Sequence, residues 1–124
     1  ALVSSELLKK AALLSREEGT ELVMAVTRYS HPVERGLAMD ESGLLHYLHP
    51  ECASMRTQDF TPAWHDTGLL YWFSVSAFIQ NGGQSFVPLK KRALPVSSLD
   101  AIDIDTEADW EFAEQVARYR GLSA

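Results

Sequence analysis

The chain has 124 residues, 46% of them hydrophobic and 23% charged, with a formal net charge of −6, which is the profile of one globular domain with a sizeable core. The acidic balance argues against a nucleic-acid backbone or an anionic membrane as partner, because both are held by basic patches. The single cysteine, Cys52, the lack of any apolar run of the ~18 residues a membrane helix needs and the lack of a basic-then-apolar leader make a cytoplasmic protein the expectation.

In chain order, Ser4 to Glu18 reads as a helix. Leu7, Leu8, Ala11, Ala12 and Leu14 form its apolar stripe, Ser4 or Ser5 caps its first turn, and Gly19 suits its end. Leu22 to Tyr29 is apolar on both faces and reads as a buried central strand. Leu37 to Asp40 and Leu44 to Leu48 flank Glu41-Ser42-Gly43, a hairpin whose glycine supplies positive φ. His49 to Ala63 is a long polar loop, a kind that is usually functional. Gly68 to Phe73 is a strand. Its alternation sends Tyr71 and Phe73 to one face and Trp72 to the other, where Trp72 is expected in the core. Val75 to Gln80 is a short helix stopped by Asn81-Gly82-Gly83. Ser85 to Leu89 is predicted as a strand, Lys90-Lys91-Arg92 as a basic turn, and Ala101 to Ile104 as the last strand. Thr106 to Arg120 is a helix capped by Thr106, with Asp109 near the capping-box position. Strands and helices mix throughout, so an α/β or α+β domain with a protruding hairpin is expected.

Asp103-Ile104-Asp105-Thr106 is the sharpest chemical feature. Carboxylates two apart on a strand share a face, and the strand's junction with a helix is where α/β sheets gather ligands. Paired hard oxygens there suit Mg²⁺, with substrate phosphates completing the shell. The same residues also read as one helix-start charge beside one surface carboxylate. Arg56-Thr57-Gln58-Asp59 offers a guanidinium fork and an amide to a small acid, or is a solvated loop. Tyr71 has a hydroxyl to offer a ligand, and the basic turn at 90–92 either meets an anion or is solvated. His31, His46, His49 and His65 lack metal spacing, and no nucleophile elbow is present.

Several stretches, in order and covering nearly the whole chain, resemble one known family. They are His31-Pro32-Val33-Glu34-Arg35-Gly36-Leu37, Arg56-Thr57-Gln58-Asp59, Trp64-His65-Asp66-Thr67-Gly68-Leu69-Leu70-Tyr71-Trp72-Phe73 and Asp103-Ile104-Asp105-Thr106-Glu107-Ala108-Asp109-Trp110. The family is the CMP-sialic acid synthetases, the cytidylyltransferases that activate nine-carbon acidic sugars, and the resemblance is nearest its pseudaminic acid branch. It implies a Rossmann-like nucleotidyltransferase fold, α/β in class, with a β-hairpin dimerisation platform here spanning about residues 30–62, and a homodimer. It implies transfer of CMP from CTP to the sugar's anomeric hydroxyl with release of pyrophosphate. It implies that Asp103 and Asp105 hold Mg²⁺ and that Arg56, Gln58, Tyr71 and Phe86 line the sugar side. Arg35 is the nearest match to a basic residue that the hairpin passes toward the partner subunit's site, where the sialic acid branch has a lysine. The family's glycine- and basic-rich CTP loop has no counterpart in these residues, so a C-terminal portion, inactive by itself, is expected. The rival expectation is a catalytically inactive module for dimerisation and sugar binding, and a small α+β binding domain is a third.

Overall fold

The computed structural model describes residues 2–122 and divides the chain into two compact units. One comprises the chain up to residue 27 and from residue 66 onward, and the other is residues 28–65. Both follow from where the apolar residues fall.

In the first unit, helix α1 (Ser5–Ser15) starts where the Ser4 hydroxyl accepts the Leu7 amide, 3.2 Å away, at the N-cap. Strand β1 (Leu22–Arg28) is the centre of a three-stranded sheet, between β4 (Trp64–Phe73) and β5 (Lys91–Pro95). β1 pairs with β5 in parallel, Leu22 opposite Lys91 and Val26 opposite Pro95. Bonds from Thr67 Oγ1 to the Ala25 carbonyl and from Ser74 N to the Glu21 carbonyl run in opposite senses along β4 and β1, so that pair is antiparallel. Successive side chains of β1 point to opposite faces, and both faces are covered. Val23 packs with Ala11 of α1 and Leu94 of β5. Leu22 packs with Leu89 and with Ala77 of α2 (Val75–Gln80), among Met24, Phe73, Phe78 and Phe86. The central-strand expectation holds for this reason. Helix α3 (Glu107–Tyr119) carries the expected capping box. The Thr106 hydroxyl accepts the Asp109 amide, and the Asp109 carboxylate accepts the Thr106 amide at 2.8 Å. No described helix is long and apolar enough to cross a membrane.

The second unit carries the hairpin, β2 (Leu37–Met39) against β3 (Leu45–Tyr47), with Leu37 opposite Tyr47. Gly43 takes φ 87°, and the Asp40 carboxylate accepts the amides of Ser42 and Leu44 at 2.9 and 3.0 Å. Those bonds, with the Ser42 hydroxyl as the strongest, hold the Asp40 carboxyl below its ordinary pKa. The loop 49–63 is less irregular than its composition suggests, since 3-10 turns form at Pro50–Cys52 and Thr57–Asp59.

Three expectations are corrected. Ser85 to Leu89 is not a strand, and the strand lies at Lys91–Pro95. Its basic residues therefore belong to the sheet. Lys91 Nζ donates to the carbonyls of Val87 and Leu89, and Arg92 reaches Thr20 Oγ1 at 2.7 Å and Glu17 at 2.9 Å. Ala101 to Ile104 is irregular, so the strand argument for placing Asp103 and Asp105 on one face does not apply. Trp72 is 40% exposed rather than core. Position 72 continues the exposed side of 64, 66 and 68, and the alternation of β4 breaks just past Gly68, at φ 67°, where 69 and 70 are both half-buried. Tyr71 and Trp72 both end up exposed, while Leu70 and Phe73 pack inward.

Candidate active site

Asp103 and Asp105 lie on the exposed irregular stretch that leads into α3. The start of that helix holds the stretch in place. One oxygen of Asp109 accepts the amides of Asp105 (3.2 Å) and Thr106 (2.8 Å) and the Thr106 hydroxyl (2.7 Å). The Thr106 hydroxyl first, then these amides, lower the Asp109 pKa and keep that carboxylate ionised and engaged. Two carboxylates, those of Asp103 and Asp105, are left facing solvent beside an acidic helix start.

Tyr71 and Phe86 are brought together in the same unit, ring centroids 5.4 Å apart. Phe86 also packs on Phe73 at 4.9 Å and Phe78 at 5.6 Å, so its ring belongs to the apolar cluster under α2 as well as to the wall beside Tyr71. The Tyr71 hydroxyl donates to Asp66 Oδ2 at 2.5 Å. That bond, followed by partial burial and the Asp66 charge, pushes the phenol up to about 12. The expected residue list missed Asp66. Five positions apart on a regular strand, Asp66 and Tyr71 would face opposite ways, and they meet because of the slip at Gly68. A glycine inside an apolar strand pattern was the available signal.

Arg35, Arg56 and Gln58 fall in the 28–65 unit. Arg35, at the end of the 3-10 turn Val33–Arg35, donates from Nη1 to Thr57 Oγ1 at 3.2 Å. It lines an open groove of about 640 Å³ with Tyr29, His31, Tyr47 and Thr57. Arg56 is turned to its neighbour: Nε and Nη2 each lie 3.2 Å from an oxygen of Asp59, a bidentate pair. Gln58 is exposed in the same turn. The structure thus sets Arg35 against the 57–59 turn and Tyr71 against Phe86, and leaves the two aspartates on a stretch of their own.

Two curated pseudaminic acid cytidylyltransferases of Campylobacter jejuni subsp. jejuni, serotypes O:2 and O:23/36, align with the chain at 25% identity over 124 residues, 99% of this chain and 52% of theirs. The chain is similar to pseudaminic acid cytidylyltransferases. It spans about half the length of the curated relatives it matches. No protein-family model matches.

Among the described residues no three His, Cys, Asp or Glu side chains cluster, and the stretch before α3 offers the carboxylates of Asp103 and Asp105. That suits Mg²⁺, which keeps several waters and takes one or two carboxylates plus substrate phosphates. It does not suit a structural zinc, which needs four protein ligands. Gly82 and Gly83 follow α2 and lead through turns into β5, with no helix N-terminus behind them to present amides to a polyphosphate.

Proposed function

We propose that this chain is the metal- and sugar-binding portion of a cytidylyltransferase that transfers CMP from CTP to pseudaminic or sialic acid and releases pyrophosphate. The observation that carries this reading is the alignment of 99% of the chain with the two curated relatives. The anomeric hydroxyl of the sugar attacks the α-phosphorus of CTP, and pyrophosphate leaves. Asp103 and Asp105 are the residues that would hold Mg²⁺, which when bound neutralises charge on the phosphoryl oxygens. Arg35 is the cation best suited to the sugar carboxylate, since its guanidinium keeps one bond to a neutral hydroxyl while that of Arg56 is paired with Asp59. Gln58 supplies an amide for sugar hydroxyls, and Tyr71 with Phe86 supplies an aromatic wall.

The test is pyrophosphate release from CTP, Mg²⁺ and a panel of sialic and pseudaminic acids. The intact protein that carries this chain is expected to turn over at a rate typical of enzymes, ~1 s⁻¹ or faster. The 124 residues alone are expected to release none, because no glycine-rich loop among the described residues leads into a helix N-terminus that would cradle a triphosphate. Release by these residues alone would place the nucleotide site within this chain, and an inactive intact protein would end the reading.

The homodimer is part of the same proposal. A hairpin of two three-residue strands is too small to stand unsupported, and this one exposes Leu37, Met39, Leu44, Leu45, Tyr47 and Leu48, Met39 by 71%. Leu37, Met39, Leu45 and Tyr47 share one face by register, and such a face is covered most simply by its own copy about a two-fold axis. Sedimentation equilibrium is expected to give twice the monomer mass, and Leu45→Asp is expected to give the monomer. A parent protein that stays monomeric at high concentration would refute the dimer.

A further inference from the structure

The Tyr71 hydroxyl has one proton, and the structure shows where it goes. It is donated to Asp66 Oδ2 at 2.5 Å, while Asp66 Oδ1 accepts the Gly68 amide at 2.8 Å. Both carboxylate oxygens are therefore engaged, Oδ1 by the turn at Gly68 and Oδ2 by the Tyr71 hydroxyl. Tyr71 is 36% exposed, and its ring is steadied against Phe86. A phenol whose proton is held this way presents only lone pairs to whatever approaches from solvent. It accepts hydrogen bonds and has none to give. The neighbouring carboxylate adds negative charge, which disfavours the approach of another anion.

Resting on the reading of Tyr71 as a sugar-side residue, we propose that Asp66 is a positioning residue that holds the Tyr71 proton and so makes Tyr71 an acceptor for a hydroxyl or amide N–H of the sugar acid, not a donor to its carboxylate. The acid's two ends are then sorted by chemistry. A neutral donor goes to Tyr71, and the carboxylate is turned away from it. The same bond raises the phenol pKa.

Asp66→Asn in the intact protein separates this from a merely structural role. Asparagine has one oxygen. Kept on the Gly68 amide, it leaves the NH₂ facing the Tyr71 oxygen, so the contact survives with its polarity reversed and the phenol proton turns outward. The expected result is a KM for the sugar acid about five- to tenfold higher, the loss of roughly one hydrogen bond, with the KM for CTP and the denaturation midpoint unchanged. Tyr71→Phe is expected to raise the same KM, and Asp66→Asn is expected to add nothing in that background. In ultraviolet titration of the intact protein, a phenol step at about 12 is expected in the parent and is expected to vanish in both variants. An active parent whose Asp66→Asn variant keeps the parental sugar KM, or weakens both substrates equally, overturns the proposal alone. A parent that turns over no sugar acid overturns the functional reading and this proposal with it.

Discussion

Asp105→Asn in the intact protein is expected to lower CMP transfer about a hundredfold or more while leaving the fold unchanged. Asparagine keeps the shape and one oxygen but removes the charge, so a divalent ion bound as proposed would lose one of the two anionic ligands this chain supplies. The substitution is structurally mild, because the Asp105 contact that orders the loop is made by its backbone amide to Asp109. Asp103→Asn is expected to be damaging as well. The measurement is pyrophosphate release at saturating Mg²⁺, with circular dichroism as the control on folding. A variant that turns over at the parental rate would remove the aspartate pair from the reaction.

Leu22→Ala is expected to be the most damaging single change to stability, about 3 kcal/mol. Leu22 has no exposed surface and lies at the start of the central strand, enclosed by Ala77, Leu89 and the aromatic cluster of Phe73, Phe78 and Phe86. Truncation removes buried methyl groups and leaves a cavity whose walls, a paired strand and packed rings, cannot easily close in. Domains of this size are stable by only about 5–15 kcal/mol, so the urea midpoint should fall visibly. Leu45→Ala, at a position 61% exposed on the hairpin, is expected to stay within about 0.5 kcal/mol in the monomer. A loss below about 1 kcal/mol for Leu22→Ala would mean that the core is looser than its packing indicates.

The sequence by itself determined the elements whose signals are local. The two-faced apolar run of β1, the hairpin around Gly43, the short helix at Val75–Gln80 and the Thr106–Asp109 capping box all depend on residues within a few positions of one another, and all appear as read. The likeness to the cytidylyltransferases was legible for the same reason, as short ordered blocks. Tertiary structure decided what depends on partners far along the chain. The third strand settles at Lys91–Pro95 because β1 offers its free edge there, not where the composition of 85–89 suggested. Arg92 is held by Glu17 and Thr20, more than seventy positions away, which makes part of what reads as a basic turn a brace in the sheet. Asp66 reached Tyr71 only because one left-handed glycine shifted the strand's alternation, and no period-two reading of β4 contains that shift. Periodicity assumes a regular backbone, so the candidate site was legible where the backbone is regular and hidden where a bulge or a distant partner re-aims the side chains.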